Sequence, residues 1–367
     1  AAEELAAYRS LLDSINYGFL LLDHQLNITY FNRAFARIFP GTSPRRGRPL
    51  LEVVLDHRVA KVAREAIDSQ RLQLLEIADV AAPGLPLRKA TFAVEAAPLA
   101  SARIGAAWLL LVDVTERHQT EQIRRDFVAN ASHELRTPLT LISGYLEALE
   151  DGLTEDPAAT ARAIEIMREH TSRILRIIED MLTISHLEER SPSISSMPFD
   201  LADCARSAAD HLAPLALAAE ATITFDFPED DVSSIYRGDR FYFDQIFLNL
   251  IENAIKENHG RGVTITLSLH RSADALHLTV ADDGVGIPAA DQPYIFKRFY
   301  RASRHRHNKV KGTGLGLSIV RRAVEAHGGS ISLKSKPGIA TRFLIKLPLS
   351  DHTAPPTVEP HPPHPTP

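Results

Sequence analysis

Phe127-Val128-Ala129-Asn130-Ala131-Ser132-His133-Glu134-Leu135-Arg136-Thr137-Pro138-Leu139 sets a histidine beside a carboxylate inside a helical pattern. Val128, Leu135, Ile142 and Leu149 recur every seven residues, and Ser132, Leu139 and Leu146 do so with an offset of four. That spacing is an a/d seam, the pattern by which helices pack into a bundle. His133 falls one position past a d residue, on the flank of the seam, so its imidazole is expected to reach water. Glu134 follows it, where a carboxylate can hold or accept the ring proton and keep the other nitrogen nucleophilic. Thr137 lies one turn on, on the same face as His133. Pro138 has no N–H to donate and is expected to kink the helix just past the site. Read alone, His133 is an ordinary surface histidine. His-Glu also opens the zinc-protease helix motif, but Thr137 stands where that motif needs its second histidine, so the ligand pair is missing.

Taken whole, this stretch resembles the H-box of sensor histidine kinases, in which the histidine receives a phosphoryl group, and motifs further along the chain carry the same resemblance. The length of 367 residues is enough for two or three domains with their own cores. Lys+Arg 41 against Asp+Glu 46 leaves a net charge of −5, which gives no basic footprint for nucleic acid or an anionic membrane surface. The single cysteine, Cys204, excludes an internal disulfide framework and fits a reducing compartment. No apolar run approaches the roughly 18 residues that a spanning helix needs, and the longest, Ile104 to Val112, reads as a buried strand. The chain begins Ala-Ala-Glu-Glu-Leu, without Met and already in a helical pattern, so a segment upstream is expected. In the family resembled, that segment often carries a membrane anchor. The expected location is therefore a cytoplasmic portion held at the inner membrane.

Residues 1–115 alternate apolar runs with short helical stretches. Tyr17–Asp23 and Ile28–Asn32 predict a hairpin around His24–Asn27. Helices follow near Arg33–Phe39 and Asp56–Ser69, then strands over Arg71–Asp79, Lys89–Leu99 and Arg103–Asp113. Two strands, helices and three strands resemble a PAS sensor domain, with Asn32 before Phe35 and the closing Asp113-Val114-Thr115 typical of it. The ligand of this module is unknown from the sequence. A flavin photoadduct needs a pocket cysteine, and none precedes Cys204; His57 as a haem ligand competes with the simpler reading of a surface helix histidine. Trp108 is expected in the core of the last strand.

From residue 116 to 190 the period is helical, with one break at Asp151–Pro157. In the second helix Met167, Ile174 and Met181 repeat by seven, as do His170, Ile177 and Ile184, which makes His170 a packed structural histidine. Two seamed helices joined by a short loop form an antiparallel hairpin that buries little alone, so two copies are expected to pair as a homodimer in a four-helix bundle. Residues 191–198 read as a Ser/Pro linker, 199–349 as an α/β domain, and the Pro/His-rich 350–367 as a disordered tail.

In the α/β domain Asn249, Asn253 and Lys256 share a helix face, offering amide oxygens suited to Mg²⁺ and an ammonium suited to phosphate. Asp282-Asp283-Gly284-Val285-Gly286 follows a strand, Ile295–Arg301 is rich in aromatics and arginine, and Lys311-Gly312-Thr313-Gly314-Leu315-Gly316 precedes a helix and presents backbone N–H groups. Each alone is a polar face or a turn. In this order behind an H-box they resemble the N, G1, F and G2 boxes of the Bergerat-type ATP-binding domain of histidine kinases. The resemblance implies ATP and Mg²⁺ as cofactors, with Asn253 on the metal, Lys256 on phosphate and Asn249 beside them. It puts Asp282 on the adenine amino group, with Gly284 and Gly286 letting the backbone approach the base. Phe296 and Phe299 would pin the loop that follows, and Lys311, Gly312, Thr313, Gly314, Leu315 and Gly316 would hold the nucleotide. Arg298 and Arg301 would reach the γ-phosphate, and Arg304, Arg306, Lys309 and Lys311 would form a cationic lid. Two positions depart from the pattern: Glu257-Asn258-His259 stands where an aromatic and a Thr or Ser are usual, and Lys336–Thr341 lacks the usual Gly-x-Gly-Thr.

The fold class implied is multidomain α+β: a PAS domain, a dimerisation hairpin and an α/β ATP-binding domain, closest in arrangement to the phosphate-regulon sensor kinases. The activity implied is transfer of phosphate from Mg-ATP to His133 Nε2, with Glu134 orienting the ring and taking its proton. The phosphoryl group then passes to an aspartate of a response regulator receiver domain, and Thr137 positions water for dephosphorylating that partner. A related chaperone- or topoisomerase-type ATPase would carry a water-activating Glu where this chain has Asn249. A degenerate, scaffold-only kinase is opposed by the presence of Asn253, Asp282 and the glycine box.

Overall fold

Asn32 gathers the first elements of the chain around a single buried amide. In the computed structural model, which describes residues 2–39, 46–80, 90–99, 106–151, 156–189, 194–228, 234–258, 260–301 and 312–349, it is 1% exposed. Its Oδ1 accepts from Phe19 N at 2.9 Å and Phe35 N at 3.0 Å, and its Nδ2 donates to Leu12 O and Tyr17 O. One side chain thus fastens α1 (Ala2–Ser14), β1 (Gly18–Leu22), and, after β2 (Ile28–Phe31), the start of α2 (Arg33–Ile38), which it caps. Then come α3 (Leu50–Val53), α4 (His57–Ser69), β3 (Gln73–Ile77), β4 (Phe92–Pro98) and β5 (Ala107–Asp113). The strands form one antiparallel sheet in the order β2-β1-β5-β4-β3. Leu20, Leu22, Phe92, Val94, Leu109 and Leu111 face a core closed by Phe35, Phe39 and the Val59, Val62, Ala63 and Ala66 face of α4. Trp108 is not in that core. The two-residue period of β5 sends Ala107, Leu109 and Leu111 inward and Trp108 to the other face, stacked 6.4 Å from Phe19. His57 is exposed at the start of α4.

The chain divides into two units, Ala1–Asp126 and Phe127–Pro367, with the boundary inside α5 (Thr115–Glu150). Pro138 is buried within that helix, which continues through it for three more turns. α6 (Pro157–Leu187) restarts at the proline that ends the predicted break, with Asp156 as its cap. Few side chains of the hairpin are covered: Ala131 and Pro138 on α5, and Ala163, Ile177, Ile184 and Leu187 on α6. Val128, Leu139 and Leu146 of the first seam are 57%, 58% and 49% exposed, an apolar stripe on the surface of α5. α6 carries a further exposed stripe, Ile164, Leu175, Ile178 and Leu182, on a side that the seven-residue repeat of Ile177 and Ile184 does not include.

The α/β layer opens with a correction. Residues 197 and 198 do not belong to a linker: β6 (Met197–Asp200) pairs with β8 (Ile235–Gly238) as a two-stranded sheet of its own. Around them lie α7 (Leu201–Ala218), β7 (Thr222–Asp226), α8 (Arg240–Glu257), β9 (Thr264–Arg271), β10 (Ala275–Asp282), α9 (Gly316–Ala326), β11 (Ser330–Lys336) and β12 (Ala340–Pro348). The main sheet runs β11-β12-β10-β9-β7, with only β7 and β9 parallel among its pairs. One sheet face packs on the three helices through Phe243, Phe247, Ile251, Val320, Val324, Leu267, Leu278 and Ile345. Burying each of the large side chains contributes about 2–3 kcal/mol. Lys311, Arg304, Arg306, Lys309, His259, residues 152–155 and the tail from Ser350 lie outside the described residues. Among the described residues no helix is long and apolar enough to cross a membrane.

Candidate functional site

The polar face of α8 becomes one wall of a cleft of about 1160 Å³, into which Gln245, Asn249, Glu252, Asn253 and Lys256 line up at helical spacing. Asp282, Val285, Gly286, Ile287, Thr341 and Phe343 come from the end of β10, the turn after it and β12. Tyr300, Arg301, Gly312, Thr313, Gly314, Gly316 and Leu317 close a third side, and Arg173, Arg176 and Asp180 of α6 border the mouth. The sequence-predicted residues Asn249, Asn253, Lys256, Asp282, Gly286, Arg301, Gly312, Thr313, Gly314 and Gly316 therefore share one cavity.

Its lining combines two chemistries. Asp282 is buried, and that burial pushes its carboxyl above the usual carboxylate range. The Gly284 N–H, donating at 3.1 Å, and the side chains of Asn258 and Thr341 partly offset the shift. Lys256 Nζ lies 2.7 Å from Glu252, which Arg176 also approaches at 3.3 Å. One cleft thus holds a carboxylate that can take a hydrogen bond from a base edge and cations that can meet phosphate.

Four of the glycines have structural reasons that the sequence reading did not supply. A Cβ on Gly284 would fall inside the side-chain amide of Asn258, and one on Gly286 would collide with the backbone of Lys336 and Pro337 while φ is +62°. Both glycines are therefore required by their own neighbours, and Gly286 also lines the cleft. Gly314 has φ +72°, and a Cβ there would come 2.9 Å from the backbone of Phe299; Gly316 is pressed against Asn249 Oδ1. The F and G2 segments thereby meet backbone to backbone, and the N segment meets G2 through the Asn249 side chain.

The remaining predicted residues lie elsewhere. His133 and Thr137 are exposed on α5 and absent from the cleft wall, Thr137 donating to His133 O at 3.3 Å. Glu134 is held by Arg173 Nη2 at 2.8 Å across the hairpin, not by its neighbour His133, as expected for adjacent residues on a helix. Arg298 does not face the cleft either: it is ion-paired with Glu188 and lies over the Phe127 ring at 5.1 Å. Phe296 packs edge-on against Phe343 at 6.2 Å. Phe299 packs on Phe127 at 5.8 Å, beside a cluster of Ile184, Leu315 and Ile319 that seals α6 to α9. Thr313 Oγ1 donates to Asp180 Oδ2 on α6 at 2.9 Å. His170 is half-buried on the α6 seam, with its Nδ1 atom buried and unpartnered among the described residues. Asn258, Asp180 and Glu188 were missed as site residues. Only Asn258 left a mark in the sequence, as a departure from the family pattern.

Three family models match the chain: a PAS domain over residues 9–102, a His Kinase A (phospho-acceptor) domain over 123–190, and a histidine kinase-, DNA gyrase B- and HSP90-like ATPase over 238–351. The chain belongs to the PAS-containing sensor histidine kinases. Among curated relatives, this histidine kinase is 36% identical over 240 residues to the sensor protein kinase WalK of Staphylococcus aureus, which covers 65% of this chain and 57% of that one. The same identity to WalK of the JH9 strain covers 39% of the relative, so the kinase chain spans about half the length of the curated proteins it matches. The crystal structure of the histidine kinase ThkA in complex with the response regulator protein TrrA shares the fold, with 22% identity and a TM-score of 0.50 over 93% of this chain and 98% of that one.

Proposed function

We propose that this kinase moves the terminal phosphoryl group of ATP to Nε2 of His133 and on to an aspartate of a response regulator. The observation that carries the reading is the cleft itself, lined by a buried carboxylate and by the amide-and-ammonium face of one helix. It is tethered to a helix whose imidazole is exposed. In this reading Asp282 accepts from the adenine amino group, Lys256 leaves Glu252 for phosphate, and Asn253 supplies one amide oxygen to Mg²⁺. A magnesium ion keeps most of its ligands as water and phosphate oxygens, so one protein amide among cations fits it better than a carboxylate cage would. Bound there, the ion would neutralise charge on the triphosphate.

The imidazole and the cleft share no wall, so transfer requires the α/β layer to leave the contacts of Asp180, Ile184 and Glu188 and travel along the hairpin. Glu134, freed from Arg173, would then orient the ring and take the proton that Nε2 attack leaves on the imidazole. Arg301, already in the cleft, and Arg298, once released from Glu188, would meet the γ-phosphate. The partner class follows from the family, and ThkA is known in complex with a response regulator protein. Thr137, one turn from His133, would place water for removing phosphate from that partner. The apolar stripe of Val128, Leu139 and Leu146 supports a homodimer. Domain order supports the phosphate-regulon arrangement.

Incubation with γ-labelled ATP and Mg²⁺ tests the reading. Label retained on the protein, and lost in Asn253→Asp, is the expected result. Free phosphate without labelled protein would point to an ATPase, and neither product would leave only a scaffold.

A further inference from the structure

Asn258 is 2% exposed at the C-cap of α8, and its amide is saturated in one direction. Nδ2 donates to Ala254 O at 2.8 Å and reaches Asp282 Oδ1 at 3.4 Å, while Oδ1 accepts from Val285 N–H at 2.7 Å. The side chain is therefore anchored to its own helix and clamps both ends of the turn that carries Asp282. A clamp so fixed occupies the volume where residue 284 would place a Cβ. φ at Gly284 is not in the left-handed region, so the backbone itself would accept alanine.

We propose that Asn258 is the positioning residue that aims the Asp282 carboxylate at the amino edge of a purine, and that its amide is the reason residue 284 is glycine. The proposal rests on the nucleotide reading above. It extends that reading to base selectivity: a fixed carboxylate accepts from a 6-amino purine and repels a 6-oxo one, whereas a loose carboxylate discriminates poorly.

The test is equilibrium dialysis of the full chain with labelled ATP and labelled GTP, on the wild type, Asn258→Ala, Gly284→Ala and the double variant, with thermal melts alongside. Loss of one hydrogen bond to a charged group predicts roughly ten-fold weaker ATP binding in Asn258→Ala, with GTP binding unchanged. Gly284→Ala is expected to lose ATP at least as severely. The double variant is expected to bind ATP no worse than Asn258→Ala, because the collision is gone. Should Asn258→Ala not fold, Asn258→Ser shortens the side chain and gives the same comparison; should Gly284→Ala alone not fold, recovery of the melt in the double variant supports the collision. Undiminished ATP binding in Asn258→Ala, equal losses for ATP and GTP, or a double variant as poor as the two losses multiplied would each overturn the proposal. A wild type that binds neither nucleotide would instead overturn the nucleotide reading, and this inference with it.

Discussion

Replacing Asp180 by asparagine removes a charge from the contact between α6 and the glycine-rich segment while keeping its shape. Asp180 accepts from Thr313 Oγ1 at 2.9 Å. Burial is the first cause that raises its carboxyl from the model-peptide 3.8 to about 6, with Thr313 and Arg176 pulling it down and Glu252 and Glu179 pushing it up. A gap of that size is worth about 3 kcal/mol. The folded state binds the proton more tightly than the unfolded state does, so stability falls as pH rises from about 4 through 6 and stays low above. Asparagine mimics the protonated form. It should therefore stabilise the unit by up to about 3 kcal/mol at pH 8, and by under about 1 kcal/mol at pH 4, where the wild-type carboxyl is already protonated when folded. For a unit of this size that means a rise in Tm of about 5–10 °C at pH 8, shrinking to about 3 °C or less at pH 4. Scanning calorimetry of both proteins at the two pH values reads it directly. An equal shift at both values, or destabilisation at pH 8, would refute the assignment of a buried carboxylate penalty to this contact. Because phosphoryl transfer on our reading requires this contact to open, the same variant should also autophosphorylate more slowly at pH 8.

Ile178→Glu combined with Leu182→Glu places two charges on the exposed stripe of α6, and light scattering should then report a monomer where the wild type is a dimer; a dimer that persists would move the interface elsewhere. Thr137→Ala removes only a hydroxyl bonded back to His133 O, so autophosphorylation should survive while dephosphorylation of the partner slows several-fold, and equal dephosphorylation rates would remove Thr137 from that step. Cys204 is fully buried and its thiol is pushed up to about 12 by that burial, so iodoacetamide at pH 8 should leave it unmodified until the protein unfolds. Rapid labelling of folded protein would contradict its place in the core.

Much of the architecture was legible because its elements are long and periodic. The heptads of α5 and α6 and the apolar alternation of β10 and β12 announce themselves locally. β6 and β8 did not, since four residues each are too few to establish a period, β6 contains a proline, and their pairing is made across the whole of α7. Trp108 was misplaced because aromatic size suggested core, while the register of β5 decided otherwise. In the cleft, the shared helix face of Asn249, Asn253 and Lys256 could be read from spacing and Asp282 from the family resemblance, whereas the packing reasons for Gly284 and Gly286 could not be read at all. Their neighbours, Asn258 and the Lys336 backbone, come from other elements, and Asp180 meets Thr313 across 133 residues. Arg298 shows a further limit: motif position placed it near phosphate, but the Glu188 carboxylate on the hairpin supplies a partner that the motif does not mention.

The central claim is that the ring of residue 133 is the destination of the terminal phosphate. Mass mapping of the chain after reaction with Mg-ATP, handled at neutral to alkaline pH, addresses it most directly. One phosphoryl group on the peptide containing His133, lost on brief acid treatment and missing from His133→Gln, is the predicted result. An acid-stable modification, a phosphoryl group on any other residue, or full labelling of His133→Gln would contradict it.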